Sequence, residues 1–286
     1  MDQLVVIAIS LLYGTATLVL LALGLAVIFG MMGVLNLAQG ELLMLGAYTV
    51  LVATAHGLSV WAGIALAPLV VGLVGLLIER GVIRSLYGRP LDTMLATWGL
   101  SLALVGAVTL VMGPTTEGIA TPLGFFTVGA YNVAAYQLVV VGFALAALAL
   151  TYVVFFHTRL GLIARATVQN PAMVAAFGVE PNRVYMGTFA FGAALAGLAG
   201  AVIAPLTGVV PSLGLAFIAR IFITVIVGGP DILAGTAAAG GVLGVVEGGV
   251  SHLYTPIYGQ VAMLALALIL VRLLPDGVSG LWRRNG

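Results

Sequence analysis

Two common reagents of protein chemistry are missing from this chain of 286 residues: it contains no cysteine, and every one of its 10 Lys+Arg residues is an arginine. Without cysteine there are no thiolate nucleophiles, disulfides or Cys-ligated metals, and nothing about redox compartment can be read. Without lysine neither Schiff-base catalysis nor a P-loop can reside here, since the P-loop lysine is the group that reaches the phosphates. The chain is therefore expected to hold no cofactor, and any ATP that drives its function is bound by another polypeptide. Charge of either sign is also scarce. Charged residues make up 7% of the chain, against roughly 25% in soluble domains. Their near balance, a net charge of +1, offers no basic surface, so nucleic acid is not an expected partner. His56, His157 and His252 lie in different segments without ligand spacing, so no metal site is expected. No nucleophile or acid–base pair stands at a workable spacing either, and an enzyme is disfavoured.

What fills the chain instead is apolar surface: 62% of residues are hydrophobic and the mean hydropathy is +1.24. Apolar blocks fall at about 4–29, 33–55, 59–83, 94–112, 134–156, 184–206, 215–229, 236–254 and 258–274. Many approach the 20 or so residues needed to cross a hydrocarbon core of about 30 Å. The expected fold is all-α, a polytopic transmembrane helical bundle of eight or nine spans with broken or re-entrant segments. It forms one integral membrane domain over 1–286, with lipid as its surroundings. Met1-Asp2-Gln3 lacks the basic start of a cleavable signal peptide, so the first helix is expected to stay in the mature protein.

Arginines cluster in three places: Arg80, Arg84 and Arg89; Arg159, Arg165 and Arg183; and Arg272, Arg283 and Arg284. The positive-inside rule makes all three cytoplasmic. Nine spans with an outside N-terminus satisfy this, and the loop from Gly113 to Tyr131 then faces outside. Arg220 departs from the pattern by lying inside a short apolar block, which suggests a broken or re-entrant seventh segment, tolerated only where protein or a water-lined cavity surrounds it. Asp92 or Thr93 is a candidate cap for the helix after Pro90.

Small residues mark close helix packing. Gly240, Gly244 and Gly248 repeat every four positions, and Ala196 with Gly200 forms a similar pair beside Gly192 and Gly197. Polar residues inside apolar blocks are rarer. Asn36, Gln39 and Glu41 follow a glycine-rich break, and with a second helix starting near Gly33 the carboxylate stands about 12 Å into it. A carboxylate on a spanning helix costs roughly 2.5–3.5 kcal/mol at the bilayer centre. Two readings fit this cluster: interhelical hydrogen bonding, or a place in the transport path or its gate. Glu247 and Ser251, four apart and followed by His252, permit a proton relay as well as ordinary structural bonding.

The longest polar connection, about 157–183, contains a short helix. Asn170 is a good N-cap, Pro171 suits the first helical position, and Gly178 suits the left-handed position at the end. Met173 and Phe177 would form an exposed apolar ridge on this helix, to which Arg165 and Gln169 could add polar contacts. A helix of about two turns is marginal in water and needs something to pack against, either its own bundle or a groove in a peripheral partner.

At these residues the chain resembles the permease subunits of the branched-chain amino acid and urea or amide family of bacterial ABC importers. The segment GVLNLAQGELLMLGAY (33–48) is similar to that family's N-terminal signature. QNPAMVAAFGV (169–179) with FAFGAALAGLAGAV (189–202) resembles its coupling segment and following helix, and VPSLGLAFIARIFITVIVGGPDILAGT (210–236) resembles its late pattern. The resemblance implies an alternating-access pore half in the inner (cytoplasmic) membrane. Its partners would be a second, related permease, two cytoplasmic ATPase subunits and an extracytoplasmic solute-binding protein. The helix at 171–177 would be the coupling helix that an ATPase receives. LYGRPLDTMLATWGLSLAL (86–104) leans toward the urea permeases, while Arg220 and GGPDILAG (228–235) depart from the usual patterns. The rival from another class is a self-sufficient channel or proton-coupled carrier, which would move solute without an ATPase.

Overall fold

Each apolar block winds into a helix in the computed structural model, which describes residues 2–129, 131–229, 231–275 and 277–280. The helices are α1 (Asp2–Met32), α2 (Gln39–Ala55), α3 (Val60–Gly81), α4 (Pro90–Met112), α5 (Tyr136–His157), α6 (Arg159–Gln169), α7 (Pro171–Ala176), α8 (Pro181–Thr207), α9 (Leu213–Gly228), α10 (Ala234–Leu253) and α11 (Pro256–Leu273). The fold is an all-α polytopic bundle. Arg283 and Arg284 lie outside the described residues.

Six of these helices, α1, α3, α4, α5, α8 and α11, are long and apolar enough to cross a membrane. The other three apolar blocks differ from the expected full spans. α2 and α9 have 17 and 16 residues, about 25 Å of helix at 1.5 Å per residue, which falls short of a 30 Å core. α10, at 20 residues, dilutes its apolar side chains with glycine, Glu247 and His252. The backbone that precedes each short helix is folded into protein: Val34, Asn36 and Ala38 before α2 are buried, as is Val209 before α9. Irregular backbone is tolerated in that setting.

This arrangement corrects several expectations. The second helix starts at Gln39, not near Gly33, because the Asn36 side chain accepts the Ala38 amide at 3.1 Å and turns the chain just before it. α9 runs unbroken through Arg220, whose charge is met by Glu247 of α10 at 3.2 Å. α4 begins at Pro90 with no side-chain cap, so Asp92 lies in its first turn and the Thr93 hydroxyl donates back to the Leu86 and Arg89 carbonyls. The connection after α5 carries a second helix, α6, capped by Thr158 accepting the Gly161 amide. The 113–135 connection contains a β-hairpin, β1 (Phe125–Val128) with β2 (Tyr131–Ala134), antiparallel with Phe125 opposite Ala134.

α8 is the centre of the bundle and packs against α1, α2 and α3. Lipid provides no hydrophobic drive between helices, so close contact of small residues carries the association. Gly192, Ala193, Ala196, Gly197 and Gly200 accordingly lie buried along α8. Tyr136 at the start of α5 donates its hydroxyl to the Val202 carbonyl at 3.0 Å and fixes the other end of that helix. α10 lies along α1 through its glycines: a Cβ on Gly240 would stand 2.5 Å from Val19 Cγ2, one on Gly244 2.6 Å from Thr15 Cα, and one on Gly248 2.8 Å from Leu11 Cδ2. Arg84 and Arg183, from two of the three arginine groups, both reach Glu180, at 3.2 and 2.7 Å. Those two groups therefore share one face of the bundle, as the positive-inside reading requires.

Candidate functional site

The Asn36, Gln39 and Glu41 side chains are 1%, 0% and 1% exposed. Asn36 donates to Gln39 Oε1 at 3.3 Å, while its own oxygen holds the Ala38 amide. Glu41 lies in the first turn of α2, where the unpaired amides and the helix dipole favour negative charge. Among the described residues the Glu41 carboxylate oxygens and Gln39 Nε2 make no hydrogen bond of ordinary geometry, although the Ser101 hydroxyl of α4 lies near the carboxylate. Leaving buried polar atoms unpaired is costly. The three residues line none of the four cavities described below, and their burial places the cluster inside the bundle.

The backbone beside the cluster is closely packed. A Cβ on Gly40 would come within 2.5 Å of the Gly214 carbonyl oxygen at the start of α9. α2 and α9, the two short helices, thus meet backbone to backbone beside Glu41.

The sequence reading missed the side chains that complete this region. Thr93, Thr97 and Ser101, buried at four-residue intervals, give α4 a polar stripe toward α2. Thr97 accepts the Leu37 amide at 3.1 Å, and Ser101 faces Glu41. The four-residue spacing within an apolar helix was the available signal. Glu79 on α3 is fully buried and accepts the Tyr87 hydroxyl. Burial, and then the Glu79 carboxylate, push the Tyr87 phenol above its ordinary value.

At the arginine-rich face, α7 has the geometry its sequence dictates. Asn170 accepts the Met173 amide at 3.0 Å, Pro171 opens the helix, and Gly178 takes the left-handed φ of +83°. Met173 and Phe177 are 56% and 78% exposed, whereas Val174 is buried against the protein. Arg165 does not join this ridge. Its guanidinium lies 4.9 Å from the Phe156 ring centre and borders a cavity of about 460 Å³ that Gln169 and Asp231 also line. Asp231 caps α10 by accepting the Leu233 and Ala234 amides, both at 3.1 Å.

A second cleft on this face, about 640 Å³, lies between α5, α6 and α8 with Gly178 at its edge. A third cavity of about 290 Å³ surrounds Arg220 and Glu247 among α1, α8, α9 and α10. A fourth, about 440 Å³ and mostly apolar, lies between α2 and α3 around Tyr48 and His56.

Comparison with known proteins places this architecture. The family model described as "Branched-chain amino acid transport system / permease component" matches residues 7–272. The chain is 28% identical to the high-affinity branched-chain amino acid transport system permease protein LivH of Escherichia coli, over 93% of this chain and 92% of that one. It is 27% identical to the corresponding permease protein BraD of Pseudomonas aeruginosa, with the same coverage of 93% and 92%. A probable branched-chain amino acid transport permease of Methanocaldococcus jannaschii is 26% identical over 93% of this chain and 90% of its own. No solved structure matches. None of these relatives is a urea permease, and the lean toward urea taken from residues 86–104 finds no support. A model that covers most of the chain, a lysine-free polytopic bundle and six apolar helices together make it a multi-pass inner-membrane protein that belongs to the permease family of branched-chain amino acid transport systems.

Proposed function

We propose that this chain is one translocating half of an ATP-driven importer that carries branched-chain amino acids by alternating access. It pairs with a second permease subunit, two cytoplasmic ATPase subunits and an extracytoplasmic solute-binding protein. The single observation that carries this reading is the family match over residues 7–272; the relatives' names supply the solute class. ATP resides in the partner subunits, consistent with a chain that has no P-loop lysine.

Two regions divide the work. Asn170 to Gly178 is the element an ATPase grips: its short helix presents Met173 and Phe177 to solvent on a capped, proline-started frame. Gln169 is exposed beside it at the end of α6, whereas Arg165 is turned away to the Phe156 ring. Asn36, Gln39 and Glu41 form a gate. A buried carboxylate met only by the nearby Ser101 hydroxyl is stabilised by any conformation that brings it water or a solute's polar groups, which is the property a gate requires. Gly240, Gly244 and Gly248 act only in packing.

Uptake of labelled leucine by cells carrying the complete importer tests the coupling assignment. Met173→Arg and Phe177→Asp each abolish uptake while the chain still inserts; near-normal uptake in both would overturn it.

A further inference from the structure

Arg220 stands about midway along α9 and Glu247 in the second half of α10, both within largely apolar helices where a lone charge is costly. The ion pair between them uses one nitrogen and one oxygen, 3.2 Å apart. A guanidinium carries five donors and a carboxylate about four lone-pair sites, so most of the capacity of both groups is unspent. Both keep some access to open space, with side chains 25% and 15% exposed. That space is the cavity of about 290 Å³, at the lower edge of the range of about 300–1,000 Å³ found for small-molecule sites. Its polar end holds the two charges. Thr17 adds a buried hydroxyl beside the Tyr13 phenol. Leu18, Leu21, Ile203 and Phe217 supply apolar wall, with Tyr13, Thr207, Ser251 and glycines of α1 and α10 completing the lining.

A buried ion pair alone is weak evidence of a stabilising role, since apolar residues of similar volume do as well or better. An ion pair left half-used beside an aliphatic wall has the form of a binding site. We propose that this cavity is a binding station for a zwitterionic aliphatic amino acid. Arg220 receives the carboxylate, Glu247 receives the ammonium, and the leucine, isoleucine and phenylalanine walls take the side chain. The inserted zwitterion exchanges one ion pair for two, so neither protein charge is left bare. This inference rests on the importer reading and adds to it a place for the solute distinct from the Glu41 cluster.

The test is photolabelling of the complete importer in nanodiscs with a diazirine analogue of leucine, with peptides mapped by mass spectrometry and leucine uptake measured in parallel. Label is expected on α1 between Tyr13 and Leu21 and on α9 near Phe217. Excess leucine suppresses it, while 4-methylpentanoate and isoamylamine, each with one charge, do not. Arg220→Gln and Glu247→Gln each reduce this label about tenfold or more. Thr17→Phe, which fills the cavity and leaves both charges in place, removes it even if the charge variants do not fold. Four results would overturn the site: label confined to peptides elsewhere, no leucine-suppressible label despite normal uptake, label indifferent to all three variants, or equal suppression by all three competitors. Uptake that responds to Glu247→Gln with label unchanged assigns Glu247 to a proton relay instead. Absence of leucine uptake by the intact importer would sink the solute reading itself, and the station with it.

Discussion

The Leu37 amide, on the backbone break before α2, donates to the Thr97 hydroxyl of α4 at 3.1 Å. This bond and the approach of Ser101 to Glu41 join α4 to the polar cluster, whereas Leu91, Leu95, Trp98 and Leu102 of the same helix point outward. Hydrogen bonds between membrane helices average only about 0.6 kcal/mol. α4 is therefore held lightly at the place where it covers Glu41. Beyond its N-terminal end, Arg84 reaches Glu180, a residue just past α7. α4 thus touches the region assigned to the gate, and the turn before it reaches the residue that opens α8 just after the coupling helix.

Thr97→Val removes the acceptor and leaves the Leu37 amide unpaired in a buried setting. The expected loss is about 1 kcal/mol of stability, read by thermal unfolding in detergent, together with faster amide exchange along α4. Thr97→Ser keeps the acceptor and restores both. Exchange along α4 that is equal in wild type and Thr97→Val would show that the helix is held by something else.

Glu41→Gln replaces a buried carboxylate by a neutral amide of nearly the same shape. The variant removes a buried charge but leaves amide donors in the same closed setting, so its stability is expected to stay within about 1 kcal/mol of wild type, while it loses most of its transport. Unfolding midpoints and leucine uptake measured on the same preparations check both halves. A variant that is less stable yet transports normally would make Glu41 ordinary structure.

Tyr87 gives a pH signature outside the spanning helices. Its phenol is pushed up, first by burial and then by the bond to Glu79. A phenol raised on folding contributes stability that is complete below its unfolded value of about 10 and fades as pH rises through the folded value. The stability gap between wild type and Tyr87→Phe is therefore expected to be constant from neutral pH to about 10 and to shrink above that. Unfolding midpoints across this range provide the check; a gap that shrinks below neutral pH would contradict the assignment.

The elements most legible in the sequence were those set by local chemistry. The apolar blocks became helices within a few residues, and α7 was readable to its caps because Asn170, Pro171 and Gly178 act through their own backbone neighbours. The start of α2 was misread because Gly33 permits a turn without fixing where helix resumes, and the deciding bond runs from Ala38 to the Asn36 side chain. Arg220 looked like a break because its partner lies 27 positions away on another helix. The polar stripe of α4 escaped notice because threonine and serine inside an apolar run ordinarily bond their own helix, as Thr97 also does to the Thr93 carbonyl. Its second bond, to the Leu37 amide, exists only once the chain has folded.

The central claim is that this chain works as one part of a larger ATP-driven machine. Its most direct test is purification of the tagged chain from its native membrane in mild detergent, with identification by mass spectrometry of what accompanies it. P-loop ATPases and a second hydrophobic permease in stoichiometric recovery are the predicted result. Recovery of this chain alone, moving solute in liposomes without ATP, would contradict the account and leave a self-sufficient channel or proton-coupled carrier in its place.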